Sequence, residues 1–207
     1  MQRRVIGLLA LVVTVAAAPV ASACLRKPPP QPKLAKQVDH TQRDVLAAEK
    51  ALARGDNAKA GQLARGAIPA IAQLPPTDAA ELATRAQRTL AIATVRSAGD
   101  VHAFELDGAD AAHTKAANVA WAGLVLSYQA ALKADNVMVK LQLAEALAAD
   151  TYQRTRARDL LRDLSARDLM PSARGYAMLA QLEGDAALRD AALGRCRDLG
   201  GDSTCKA

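Results

Sequence analysis

The chain has 207 residues, 27 basic and 21 acidic side chains, and a formal net charge of +6. So mild a charge, with aromatic residues at 2%, excludes a nucleic-acid platform, which needs clustered bases and stacking rings. Strand-forming alternation of Val, Ile and Thr is lacking, and an apolar complement dominated by Ala and Leu predicts an all-α fold of closely packed helices.

The N-terminus reads as an address. Arg3 and Arg4 precede an uncharged run, Val5 to Ala18, and small residues follow up to Ala23. This basic, apolar, small-residue order is that of a secretory signal peptide over residues 1–23. The run from Val5 to Ala23 is just long enough to span a bilayer, but its last third of Ala, Pro and Ser suits a peptidase better than a span. Ala21-Ser22-Ala23 meets the small-x-small requirement for cleavage before Cys24. Loss of Arg3 and Arg4 leaves 25 bases against 21 acids, a net charge of +4. Residues 24–37 then form a basic tether. Pro28, Pro29, Pro30 and Pro32 favour an extended polyproline-II segment. Arg26, Lys27, Lys33 and Lys36 around them are either solvated or meet anionic head groups.

A helical domain is expected over residues 38–199. Its first helix runs from about Asp39 to Ala53, with Val45, Ala48 and Leu52 on the buried stripe. Gly55 stops it and Asp56 caps the next. The second helix runs from Ala58 towards Ala72, kinked or ended by Pro69. Thr77 is the expected cap of a third helix that carries Leu82, Ala86, Leu90, Ala93 and Val95 to a stop at Gly99-Asp100. Val101 to Asp107 reads as a loop. A long helix opens at Asp107-Gly108-Ala109-Asp110 and reaches about Ala134. Ala117, Trp121, Leu124, Tyr128 and Ala131 share one of its faces, and their seven-residue spacing predicts a core stripe rather than a ligand box. Four helices complete the domain: Val137 to Ala149, Tyr152 to Leu164, Ala173 to Glu183, and Ala186 to Leu199. A short tail, residues 200–207, ends the chain.

The last two helix pairs repeat one another. Shifted by thirty-five residues, Leu147 meets Leu182, Asp150 meets Asp185, Arg154 meets Arg189, and Arg162-Asp163-Leu164 meets Arg197-Asp198-Leu199. A period in this range points to stacked helical hairpins.

Gly55-Asp56 followed by Ala60, Ala64 and Ala67 resembles the turn and second-helix positions of tetratricopeptide repeats. Gly184-Asp185 occupies the equivalent turn, and Tyr128 to Asn136 is similar to the helix that ends such a unit. The resemblance implies stacked antiparallel hairpins, an α-solenoid, with a free concave face for a peptide or protein. The intervals from Asp56 to Asp100 and from Asp100 to Asp150 are forty-four and fifty residues, longer than the family's period of about thirty-four. An irregular antiparallel helical bundle with one duplicated hairpin is the alternative architecture.

Ala21-Ser22-Ala23-Cys24 also resembles a bacterial lipobox, with Ala21 where Leu is usual. This resemblance implies that Cys24 becomes the acylated first residue, anchoring the protein to a membrane. Leu25, rather than Asp, then favours the outer membrane, facing the periplasm or the cell surface. The alternative is a soluble exported protein beginning at Cys24. Cysteine arithmetic bears on the choice. In an oxidising compartment Cys196 and Cys205 are near enough to bridge, which leaves Cys24 as the odd cysteine in need of a use; the alternative is that Cys196, which takes the place of Leu161 in the repeat register, is a buried apolar residue without a partner.

No catalytic residue, metal ligand set or cofactor motif is read from the chain. His102 and His113 with Asp107 and Asp110 can be drawn as a metal site, but both carboxylates are accounted for as helix-start residues. His40 is expected to be exposed. No Gly-x-Ser-x-Gly elbow or glycine-rich phosphate loop is present. Arg158-Asp159 and Arg162-Asp163 read as solvated, ion-paired helix faces. The sequence thus predicts a non-catalytic protein with an envelope protein or peptide as partner, an exported enzyme being the remaining alternative. It does not assign the partner-binding residues.

Overall fold

The computed structural model describes residues 32–200 and 204–205. The leader, Cys24 and the tether up to residue 31 lie outside the described residues. Eight α-helices and no strand are found among those described: α1 (Pro32–Ala53), α2 (Asn57–Ile71), α3 (Pro76–Arg96), α4 (Ala111–Leu132), α5 (Val137–Ala149), α6 (Arg154–Ala166), α7 (Ala173–Leu182) and α8 (Ala186–Asp198). The all-α class holds.

Two expected boundaries are corrected. The extended tether was placed through residue 37, yet α1 begins at Pro32. A proline at the first helical position forgoes no intrahelical hydrogen bond. Leu34 and Val38 then pack, half-buried, against the α1–α3 core, which rewards continuing the helix. Thr77 does not cap α3. Pro75 holds the cap position with Pro76 as the first helical residue and no side-chain cap bond. Pro69 sits inside α2, two residues before its end at Ile71, so it forgoes one intrahelical bond and the helix stops just beyond it.

Four caps follow the chemistry of short polar side chains. Asp56, Asp110, Asn136 and Asp185 each accept a hydrogen bond from the amide three residues on, satisfying one of the donors that a helix start leaves free. The thirty-five-residue register survives in part. Asp150 and Asp185 both cap, Ala157 and Ala192 are both buried, and Leu161 and Cys196 are both fully buried. The register fails at its ends. Tyr152, expected to open α6, lies in a 3₁₀ turn over Thr151–Gln153, whereas α8 starts directly after Asp185. Leu164 is fully buried but Leu199 is half exposed.

Each helix packs on its sequence neighbours, and α1, α3, α5 and α7 also touch in series; α2, α4, α6 and α8 do not touch one another. The core is therefore threaded through the odd-numbered helices. α5 is its hub, with Val139 and every residue from Leu141 to Leu147 buried. Alanines at zero exposure (Ala48, Ala51, Ala60, Ala64, Ala86 and Ala93) mark where backbones approach closely.

Ion pairs cross the odd-numbered series. Arg85 on α3 donates two hydrogen bonds to Glu49 on α1, at 2.9 and 2.7 Å. Arg96, at the end of α3, donates two to Glu145 on α5, at 2.8 and 3.1 Å. Arg174 on α7 donates a third to the same carboxylate at 3.0 Å. Glu145 is buried, and three charge-assisted bonds offset the cost of taking its charge out of water.

Candidate interaction face

α4 is built inside out. Its buried face carries Thr114, Asn118, Ala122, Leu126 and Gln129, three of them polar. Its outward face carries Ala116, Ala120, Leu124, Tyr128, Ala131 and Leu132, none of them charged. No charged residue occurs from Ala116 to Leu132. The stripe expected to face the core is thus turned towards solvent: Leu124 is 71% and Tyr128 67% exposed. Trp121 alone of its large members is half-buried, against two core clusters.

The reason lies in what the polar residues hold. The fully buried Asn118 accepts from the Ala103 and Phe104 amides at 2.6 and 3.1 Å. Its amide donates to the Phe104 and Thr114 carbonyls, both at 2.9 Å. Three of these four bonds pin the expected loop, which crosses between α2 and α4. Arg65 on α2 holds the other side through the His102 carbonyl at 3.1 Å. Gln129 donates to the Thr84 carbonyl on α3 at 3.0 Å. These bonds hold α4 in this rotation, because turning it would leave the Ala103 and Phe104 amides unpaired at about 1–3 kcal/mol each. Period alone cannot reveal this, since the stripe of Leu and Tyr is the more hydrophobic one.

Between α4 and α6 no such loop intervenes. An open groove of about 620 Å³ lies there, walled by Ala120, Gly123 and Ser127 of α4 and floored by Ala146. Tyr152, 95% exposed, and Arg156 form the far rim. A smaller hollow of about 300 Å³ flanks the other side of Leu124 and Tyr128, against Thr84 and Gln87 of α3. The α4 face is therefore a ridge of Leu and Tyr between two hollows.

The remaining expected site residues fall elsewhere. Cys196 and Cys205 form a disulfide with a Cα–Cα distance of 5.8 Å. Both are buried in the α5–α8 core, so the bond pins the tail beneath α8. His102 and His113 are separate: His102 pairs with Glu105 at 2.8 Å and His113 with its own cap Asp110 at 2.9 Å. His40 is exposed beside Asp44. Among the described residues no group of three or more His, Cys, Asp or Glu gathers that could hold a metal, and no helix is long and apolar enough to cross a membrane.

The inner carboxylates Glu49, Glu145 and Glu183 are each paired with a guanidinium group. The hydrogen bond from Arg85 holds the Glu49 carboxyl below its ordinary value. Arg162 does the same for Glu183, whose side chain is only 2% exposed. A depressed, paired carboxylate is a poor general acid at neutral pH. Comparison with known proteins found no matching family model, curated protein or solved structure.

Proposed function

We propose that the protein is an exported lipoprotein, anchored through Cys24, whose helical domain is a non-catalytic scaffold for protein–protein interaction in the bacterial cell envelope. The observation that carries the binding role is the outward α4 ridge. An uncharged helix face with Leu and Tyr more than half exposed, bordered by an open groove, is the mark of a covered surface. We read the domain as stacked antiparallel hairpins of the tetratricopeptide kind. The serial contact of α1, α3, α5 and α7, without contact among the even-numbered helices, supports that reading. The anchor rests on the small-residue run before Cys24, and the buried Cys196–Cys205 pair leaves Cys24 as the odd cysteine.

Two measurements test this. Labelled palmitate should enter the parent chain and send it to the detergent phase. A Cys24→Ser chain should lose both label and partition. Unchanged partition of Cys24→Ser would instead support a soluble exported binding protein. For the scaffold, a photo-crosslinking residue at position 124 should give adducts to protein in the envelope, whereas one at Leu46 on α1 should not. Equal or absent adducts at both positions would refute the α4 face as the site of interaction.

A further inference from the structure

We propose that the end of the helical domain where α1, α3, α5 and α7 begin is seated on an anionic lipid surface, that of the membrane holding Cys24. Leu132 and Met138, on either side of the α4–α5 turn, meet the head groups. This rests on the lipoprotein reading and adds to it the orientation of the domain.

Reach is the first argument. Because α1 begins at Pro32, only residues 25–31 stand between Cys24 and the helical domain. From Cys24 to Pro32 the chain spans at most about 29 Å, whatever its path. α1 has 22 residues and is about 33 Å long. Seated on its opposite end, the domain would hold Pro32 farther from the bilayer than an anchored Cys24 can follow.

Packing brings further segments to the Pro32 end. Leu34 and Val38 pack with Leu74 and Leu82, on either side of the α2–α3 turn. Gln129, near the end of α4, bonds the Thr84 carbonyl in the first half of α3. Gly175, at the start of α7, lies against Leu141 near the start of α5. The α4–α5 and α6–α7 turns and the last turn of α8 therefore share this end.

Charge is the second argument. All helices that begin at the opposite end are entered through an aspartate: Asp56, Asp110, Asp150 and Asp185. The same position before α3, α5 and α7 holds Pro75, Asn136 and Ser172. Asn and Ser cap as well as Asp does, so helix chemistry alone does not require this segregation. Counting the four terminal residues of each helix and the segments that join them, the Pro32 end has seven Lys and Arg against five Asp and Glu. The opposite end has seven against eight. Arg26 and Lys27 of the tether add two bases on the Pro32 side. Bases close to an anionic leaflet are attracted to it, and carboxylates are repelled.

Apolar exposure supplies the contact. Leu132 is 63% and Met138 44% exposed, with the exposed Lys133 between them in the turn. Apolar side chains beside a lysine suit the boundary between head groups and acyl chains. Leu106, Tyr152 and Leu188 are also exposed at the opposite end, so exposure by itself does not choose between the ends. Reach and charge make that choice.

Quenching by lipid tests the seating. In the acylated full chain Cys24 carries lipid and Cys196 is joined to Cys205, so an added cysteine is the only free thiol. Leu132→Cys, Met138→Cys, Leu124→Cys and Leu106→Cys chains are each labelled with a fluorophore. They are reconstituted in vesicles of phosphatidylethanolamine and phosphatidylglycerol that carry nitroxide on the head groups. Labels at 132 and 138 should be quenched several-fold more than the label at 106. Vesicles of phosphatidylcholine alone should retain the chain but lose that difference; an equal difference there would refute recognition of anionic head groups. Quenching at 106 as strong as at 132 and 138 would overturn the orientation. Quenching strongest at 124 would lay the domain on its α4 flank and overturn it equally. A chain that sediments with the vesicles and is quenched at none of these positions keeps its anchor and loses the seating. A parent chain that carries no acyl group and stays in the supernatant removes the lipoprotein reading, and the seating with it.

Discussion

Removing Arg96 tests whether the odd-numbered helices are tied together by their shared carboxylate. Glu145 lies on α5 with its side chain 5% exposed, and Arg96 on α3 is 22% exposed. Arg96→Met deletes two of the three bonds, at 2.8 and 3.1 Å, while keeping the aliphatic stem. The carboxylate is left with Arg174 alone, at 3.0 Å and with that guanidinium side chain 53% exposed. Breaking one partner from a buried ion pair costs about 3–5 kcal/mol. The surviving Arg174 contact puts the expected loss at the lower end, about 3 kcal/mol. In a domain of this size that lowers the melting temperature by roughly 6–12 °C, at about 2–4 °C per kcal/mol. Glu145→Met on top of Arg96→Met should restore part of the loss, because no buried charge then lacks its partner. Urea titration of the four members of the cycle gives the coupling energy. If Arg96→Met falls within about 0.5 kcal/mol of the parent, as a surface substitution would, the tie is not structural and the argument fails.

Four further outcomes follow from the same physical reasoning. Cys205→Ser opens a loop with a sequence separation of 9 and should lower urea stability by about 2–3 kcal/mol; dithiothreitol should do the same to the parent and nothing further to the variant. Glu49 and Glu183 have folded-state values depressed below 4.5 by their arginine partners, so their contribution is complete above that pH. It is lost as pH falls through 4.5 towards the depressed folded values. Glu183→Gln should flatten the fall in melting temperature over that acid range, and an unchanged slope would refute the assignment. Asn118→Ala orphans the Ala103 and Phe104 amides. It should cost about 2–3 kcal/mol and raise hydrogen exchange across residues 101–107 more than elsewhere. Gly99 has φ +85, and a Cβ there would come within 2.7 Å of the Lys115 carbonyl. Gly99→Ala should therefore cost more than about 1 kcal/mol, read as a shifted urea midpoint.

The helices themselves were legible because their signals are local. Asp56, Asp110 and Asp185 cap where short carboxylates precede apolar stretches, and Gly55 and Gly99 take the left-handed conformation expected where a helix stops. The Cys196–Cys205 pairing was readable for the same reason, as two cysteines flank a glycine turn. Hydrophobic period also placed Val45, Leu82, Ala86 and Leu90 in the core. Local signals misled at Pro32–Gln37. Pro32 and the three prolines before it suggested an extended rod, but packing of Leu34 and Val38 on the first three helices decided for helix.

What the sequence by itself determined is the class of the fold and the order of its helices. What only the tertiary structure decided is which side of α4 faces outward. Periodicity measures how apolar a face is, and by that measure Leu124 and Tyr128 belong inside. The long-range partners of Asn118 and Gln129, fourteen or more residues away on the loop and on α3, turn the helix the other way. A hydrogen bond between distant segments leaves no period in the chain. The rotation that exposes the ridge is a property of the packed structure alone.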